Sequence, residues 1–279
     1  AAILAGDRES LRRLGHGNAL AMPYHHLVLP LASRRDKTTE VRWGLADFRR
    51  RFGRDAAGMW LPETAVDDET LDVLAAEGVA FTVLAPHQVA KPPARGLPAR
   101  YRTSAGRWIT LCLYDGPLSH DVAFGALLQD SAAWERRLFA DPAAAIVAVA
   151  TDGETYGHHH TFGELALAAL LDRLARRPDA EIENFTSLLA RAPASEAVAL
   201  VTPSSWSCGH GVERWRDDCG CRITSGTQQR WRAPLRGAVD WLAGEMHAIF
   251  EREAREVPRP GSAPAPASST RSGHWSPTT

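Results

Sequence analysis

Six short apolar runs, set apart by longer stretches of helical spacing, constrain this chain more than any other feature. They are residues 26–31 (HLVLPL), 58–61 (GMWL), 79–84 (VAFTVL), 109–114 (ITLCLY), 145–151 (AIVAVAT) and 197–202 (AVALVT). Runs of this length without polar alternation read as strands buried on both faces. Between them, residues 37–52 place Val41, Leu45, Phe48 and Phe52 on one helical face and Arg42, Arg49 and Arg50 elsewhere. Strands alternating with amphipathic helices predict an α/β fold with parallel strands and crossover helices.

Helix boundaries are written in the same residues. Asp67 and Asp68 precede ETLDVLAAEG, which stops at Gly78, and Thr161 with Glu164 forms a capping-box pattern before LALAALLDRLARR. Residues 234–255 predict a long closing helix. Residues 256–279 lose periodicity and are rich in Pro, Ser, Ala and Gly, the composition of a disordered tail. One catalytic domain over 1–255 followed by that tail is the expected organisation, and no solenoid or propeller repeat is visible.

The balance of charge narrows the partners. Lys plus Arg number 32 against 33 Asp plus Glu, a net charge of −1 that offers no attraction to nucleic acid or an anionic membrane surface. No apolar run reaches the ~20 residues of a membrane span, and the N-terminal AAILAGDRESLRR lacks signal-peptide regions, so a cytoplasmic location is expected. The chain starts at Ala1 rather than methionine, which suggests a piece of something longer. An uncharged partner is the expectation.

Catalytic side chains of α/β folds collect on the loops leaving the C-terminal ends of strands. Two runs end on acids in that way: GMWL enters Pro62-Glu63-Thr64, and AIVAVAT enters Asp152-Gly153-Glu154-Thr155-Tyr156-Gly157, followed by His158, His159 and His160. Pro62 restricts the first backbone, while Gly153 and Gly157 free the second. A carboxylate pair is what glycosidic bond cleavage needs, one group at the anomeric carbon and one carrying the leaving-group proton. Trp60, Tyr156, Trp206 and Trp215 supply flat faces for a sugar ring. The competing reading is that each acid simply caps the turn that follows it.

The segments MWLPETAVDDETLDVLAAEGVAFTVLAPHQ and TDGETYGHHHTFGE resemble glycoside hydrolase family 57, in particular its large bacterial members with an uncharacterised C-terminal extension. GHGNALAMPYHHLVLPLASRRDK is similar to another conserved region of that family, with His26 as the histidine preceding the Val-Leu-Pro run, and the resemblance spans about residues 14 to 250. It implies a distorted (β/α)7 barrel, a retaining double displacement on α-1,4-linked glucans, and no metal or other cofactor. By the same resemblance Glu63 is the nucleophile and Asp152 the general acid/base, with carboxyls ~5 to 5.5 Å apart. The family's first strand carries a His-Gln-Pro motif. Here only His87-Gln88-Val89 is present, in a different place, so a barrel incomplete at its N-terminus is expected.

Other polar residues carry weaker signals. His26, His158, Trp206 and His210 join Trp60 and Tyr156 as candidate substrate contacts, although His26 beside an apolar run also fits a buried core histidine. Asp115 sits at a strand end but equally suits a turn with Gly116 and Pro117. The run His158 to His160 is a poor metal set because consecutive side chains point apart. Cys208, His210, Cys219 and Cys221 make up a tetrahedral zinc complement, but a single residue between paired ligands is shorter than structural zinc sites prefer, which favours free or substrate-adjacent cysteines. Two competing functions remain beside the glucan-active enzyme. One is a metal-dependent polysaccharide deacetylase or α-mannosidase-like hydrolase; the other is a non-catalytic carbohydrate-binding remnant.

Overall fold

The computed structural model describes residues 1–194, 196–222 and 224–254. The expected tail, 256–279, lies outside them. The chain divides into two units: Ala1–Arg214 with Cys219–Ile223, and Trp215–Asp218 with the residues from Thr224 onward.

The first unit opens with α1 (Ala2–Leu14) and α2 (Arg34–Phe52), then β1 (Gly58–Met59), α3 (Asp68–Ala76) and β2 (Phe81–Leu84). A hairpin of β3 (Ala99–Arg102) and β4 (Trp108–Leu113) follows, then α4 (Gly116–Phe124), α5 (Ser131–Leu138), α6 (Gly163–Ala175), α7 (Phe185–Arg191) and β5 (Glu196–Ala197). The second unit contains α8 (Arg232–Glu253). The sheet order is β1-β2-β4-β3-β5; β1, β2 and β4 run parallel, while β3 is antiparallel to β4. Ala21 adds a parallel bridge to Met59 beyond β1.

Strand residues alternate between two cores because successive side chains point to opposite faces. Leu84 of β2 and Ile109, Leu111 and Leu113 of β4 pack with Val41 and Phe48 of α2 and Leu71 and Leu74 of α3. Phe81, Val83 and Cys112 face the other way, against Trp60, Tyr114 and Trp206 and against Phe185 and Leu189 of α7. Each buried Leu or Phe contributes roughly 1.5–3 kcal/mol. A third cluster gathers Leu118, Val122, Trp134 and Leu170 from α4, α5 and α6.

The helical stretch read over 37–52 forms within α2, which starts three residues earlier at Arg34, and the start after Asp67 and the closing helix follow their sequence signals. Ser33 caps α2 by accepting from the Asp36 amide, and Asp67 caps α3 by accepting from the Thr70 amide. At α6 the capping box does not form: Phe162 occupies the N-cap in a left-handed conformation without a side-chain bond. Three expected strands also need correction: of 197–202 only Ala197 lies in β5, with Leu200 making an isolated bridge to Val89. Residues 26–31 are not a strand; Leu29–Leu31 form a 3-10 turn, since Pro30 has no N–H for a ladder, and Ala21 takes the place beside β1. Residues 145–151 carry no strand either, because β3 occupies the free edge of β4, and their contacts are single bonds such as the Asp115 amide to the Ala148 carbonyl.

Candidate active site

The loop after β1 turns more sharply than an ordinary strand end. Glu63 (φ 57°) and Thr64 (φ 48°) both adopt the left-handed region, which costs a non-glycine residue about 1 to 3 kcal/mol. Several groups hold the strained pair in place. The Trp206 amide donates to the Glu63 carbonyl at 3.1 Å, and the fully buried Gln88 donates its Nε2 to the Thr64 carbonyl at 2.8 Å and to Ser204 Oγ at 3.2 Å. Gln88 in turn accepts from the Ala85 amide through Oε1, 2.8 Å. Beside it, His87 Nε2 lies 3.0 Å from the Ser205 carbonyl. The His-Gln pair that looked misplaced in the sequence therefore braces the Glu63 turn and the 204–206 segment together.

The Glu63 carboxylate is asymmetric. Oε2 accepts from Trp206 Nε1 at 3.1 Å and from Ser207 Oγ at 2.6 Å, while Oε1 faces His26 Nε2 at 3.6 Å. Both donors come from the segment after β5. Trp206 is also wedged edge-on between Trp60 (centroids 5.2 Å) and Tyr114 (6.3 Å), which leaves its indole little freedom to swing away from the acid. Ser207 is the functional residue that sequence reasoning missed; a serine in SSWSCGH carries no signal until the fold brings it to Glu63.

Asp152 precedes the 3-10 turn Gly153–Thr155 and makes no side-chain cap to it. Asp67, Asp115 and Asp130 do cap the helices they precede. The capping explanation thus holds for Asp115, which accepts from the Leu118 amide at 2.8 Å, and fails for Asp152 and Glu63. Partial burial, then the negative charges of Glu154 and Glu63, raise the Asp152 pKa above the ordinary aspartate range, with His159 and His26 opposing. Asp152 thus feels the charges of Glu63 and His26, which lie far from it in the sequence.

The remaining candidates divide. His26 borders Glu63, Trp60 packs against Trp206, and His158 is exposed beside His159, ring centroids 5.2 Å apart. Tyr156 turns inward, its ring parallel to Trp134 and its hydroxyl accepting from Thr151 Oγ1 at 3.0 Å, so its face is taken by protein. His160 binds the Ala123 carbonyl at 2.8 Å. His210 belongs to a cluster with Cys208, Cys219 and Cys221. A cavity of about 340 Å³ beyond β4, lined by Pro86, Arg95, Tyr114, Asp115 and Ile146 among others, includes neither Glu63 nor Asp152.

Residues 8–198 match the sequence profile described as glycosyl hydrolase family 57. The chain belongs to glycosyl hydrolase family 57. A second match, over residues 228–262, is to a domain of unknown function, DUF3536, and takes in all of α8. Comparison with curated proteins gave no match. Among solved structures this family 57 chain resembles an exo-type maltose-forming amylase from Pyrococcus sp. ST04 (TM-score 0.67, 15% identity, 80% of this chain and 44% of that one). It also resembles the 4-alpha-glucanotransferase from Thermococcus litoralis (0.58, 20%, 70% and 32%). A third is the branching enzyme from Thermococcus kodakaraensis (0.59, 15%, 83% and 55%). At these identities the likeness is one of fold: α/β, with a partial mixed sheet of the distorted-barrel kind. The chain spans between about a third and just over half of the length of these relatives.

Proposed function

We propose that this chain carries the catalytic carboxylates of a retaining enzyme acting on α-1,4-linked glucans, with Glu63 as nucleophile and Asp152 as general acid/base, within a distorted (β/α)7 barrel. The observation that carries the reading is that Glu63, held by Trp206 and Ser207, lies near enough to Asp152 for its charge to act on it, neither acid serving as a cap. The DUF3536 match supports placement among the large family members with a C-terminal extension.

The roles follow from the surroundings. Two donors hold Oε2 of Glu63 in place and leave Oε1 to form the bond to the anomeric carbon. As that bond forms, the glycosidic C–O bond breaks and its oxygen takes the Asp152 proton. Water or a sugar hydroxyl then attacks the glycosyl-enzyme, gives its proton to Asp152 and frees Glu63. An Asp152 pKa held up by burial and like charge suits a group that must arrive protonated. Trp60 and His26 are the proposed sugar contacts nearest the acids, with His158 at the rim. Hydrolysis, branching and 4-α-glucanotransfer share these steps and differ in the acceptor.

The metal-dependent deacetylase alternative draws no support from geometry. Among the described residues, Asp152 and His158 to His160 do not form a metal-ligand group. The test is turnover of maltoheptaose or amylose. Glu63→Gln should abolish glycosyl-enzyme formation and lower kcat on the order of 10³-fold or more. Asp152→Asn should lower it by about 10²- to 10⁴-fold, but much less on an aryl glycoside whose leaving group needs no proton. Binding of maltoheptaose by the unaltered protein without any product would instead favour the carbohydrate-binding remnant.

A further inference from the structure

The segment after β5 ends in a side-chain cluster that the carboxylate chemistry does not use. Cys208, His210, Cys219 and Cys221 all belong to the first unit, and their ligand atoms lie within 4.8 Å of one another. Cys208 Sγ is 3.9 Å from both Cys219 Sγ and Cys221 Sγ, and Cys221 Sγ is 3.5 Å from His210 Nδ1. A disulfide would need about 2.05 Å between sulfurs. Ligands at tetrahedral zinc distances stand about 3.8 Å apart for two thiolates and about 3.6 Å for a thiolate and an imidazole nitrogen. The observed spacings fall close to both values.

The fourth cysteine, Cys112, is buried in the sheet and is not part of the group. Three thiolates and one imidazole are a donor set too soft for calcium or magnesium and complete for zinc, with no position left for water.

We propose that Cys208, His210, Cys219 and Cys221 bind a structural Zn²⁺ ion that clasps the two ends of the 208–221 loop. Ser205 Oγ donates to the Gly211 carbonyl at 2.6 Å, and Arg214 Nη1 donates to the Ser207 carbonyl at 2.7 Å. The metal adds the long-range tie that those local bonds lack. Cys208 directly follows Trp206 and Ser207, so the ion is a positioning device for the two donors on Glu63. That last consequence rests on the proposed role of Glu63; the binding of zinc does not.

The test begins with elemental analysis of protein produced with zinc in the medium, alongside thiol titration under denaturing conditions. The expected result is one zinc per chain and four reactive thiols. Cobalt substitution should give the intense visible bands of tetrahedral thiolate coordination. Cys219→Ser and Cys221→Ser should lose the metal, and Cys112→Ser should keep it. If the variants fail to fold, the cobalt spectrum and thiol count of the unaltered protein still decide. Absence of zinc, a different bound metal, a cobalt spectrum without thiolate bands, or two thiols lost to a disulfide would each overturn the site. For the clasp, chelation should speed hydrogen exchange in residues 203–214 and zinc should restore protection. Exchange there that ignores the metal would overturn the positioning role while leaving the carboxylate reading to stand on its own kinetics.

Discussion

Ser207 shows how much one small side chain decides at this site. Its hydroxyl is 2.6 Å from Glu63 Oε2, a hydrogen bond to a charged acceptor worth about 1.5–3 kcal/mol. Ser207→Ala should lower kcat/KM on the substrate glucan by roughly 10- to 100-fold. A variant as active as the parent would show that Trp206 alone orients the carboxylate. Glu154 acts on the other acid. Its charge helps raise the Asp152 pKa, and in the proposed role of general acid Asp152 works only while protonated, so the alkaline limb of kcat/KM should follow that pKa. Glu154→Gln removes a like charge, lowers the Asp152 pKa and should shift that limb to lower pH. A shift upward, or none, in the pH profile would contradict the pairing.

Elements meet here through single residues that sequence periodicity does not single out. Gln88, read in the sequence only as part of a displaced motif, is buried and satisfies Thr64, Ser204 and Ala85 at once. Gln88→Leu leaves those groups unpaired and should cost about 1–3 kcal/mol in urea unfolding, and it should also depress kcat, because the Glu63 turn relaxes. The helix α2 approaches the chain at Met22 so closely that a methyl on Gly44 would strike the Met22 carbonyl. Gly44→Ala should therefore destabilise the fold by roughly 1–3 kcal/mol despite the better helix propensity of alanine, a sign that thermal unfolding reads directly.

At the scale of the whole first unit, α1 is tied by charge to the loop between α2 and β1. Asp7 is buried and accepts two bonds from Arg54, 2.7 and 3.0 Å, and one from the Ala19 amide at 2.8 Å. The Arg54 pairing lowers the Asp7 pKa, so the stabilisation is complete above the ordinary aspartate pKa and is lost as pH falls through the depressed folded value. Asp7→Asn should cost about 3 kcal/mol at neutral pH, with the gap to the parent closing in acid. Denaturant midpoints measured from neutral to acid pH check both statements. The second unit contains α8, which leaves Trp241, Leu242, Met246 and Phe250 exposed among the described residues.

Local chemistry made much of this legible in advance. Apolar runs marked β1, β2 and β4 because a strand buried on both faces tolerates little else, and Asp67 announced α3 because a cap acts within one turn. The strand-end acids Glu63 and Asp152 were visible for the same reason. What the sequence left open depended on which edges and side chains met. Residues 145–151 look like a strand, but the edge that would pair with them belongs to β3. Asp115 and Asp152 look alike until their carboxyls are seen, one on a helix amide and the other beside a second charge. Ser207 on Glu63 and Gln88 under Thr64 are contacts between segments distant in the chain, and the three thiols around one imidazole meet only through the folding of the 208–221 loop. Spacing along a chain constrains only neighbours within a turn or a strand, so these meetings belong to the tertiary fold.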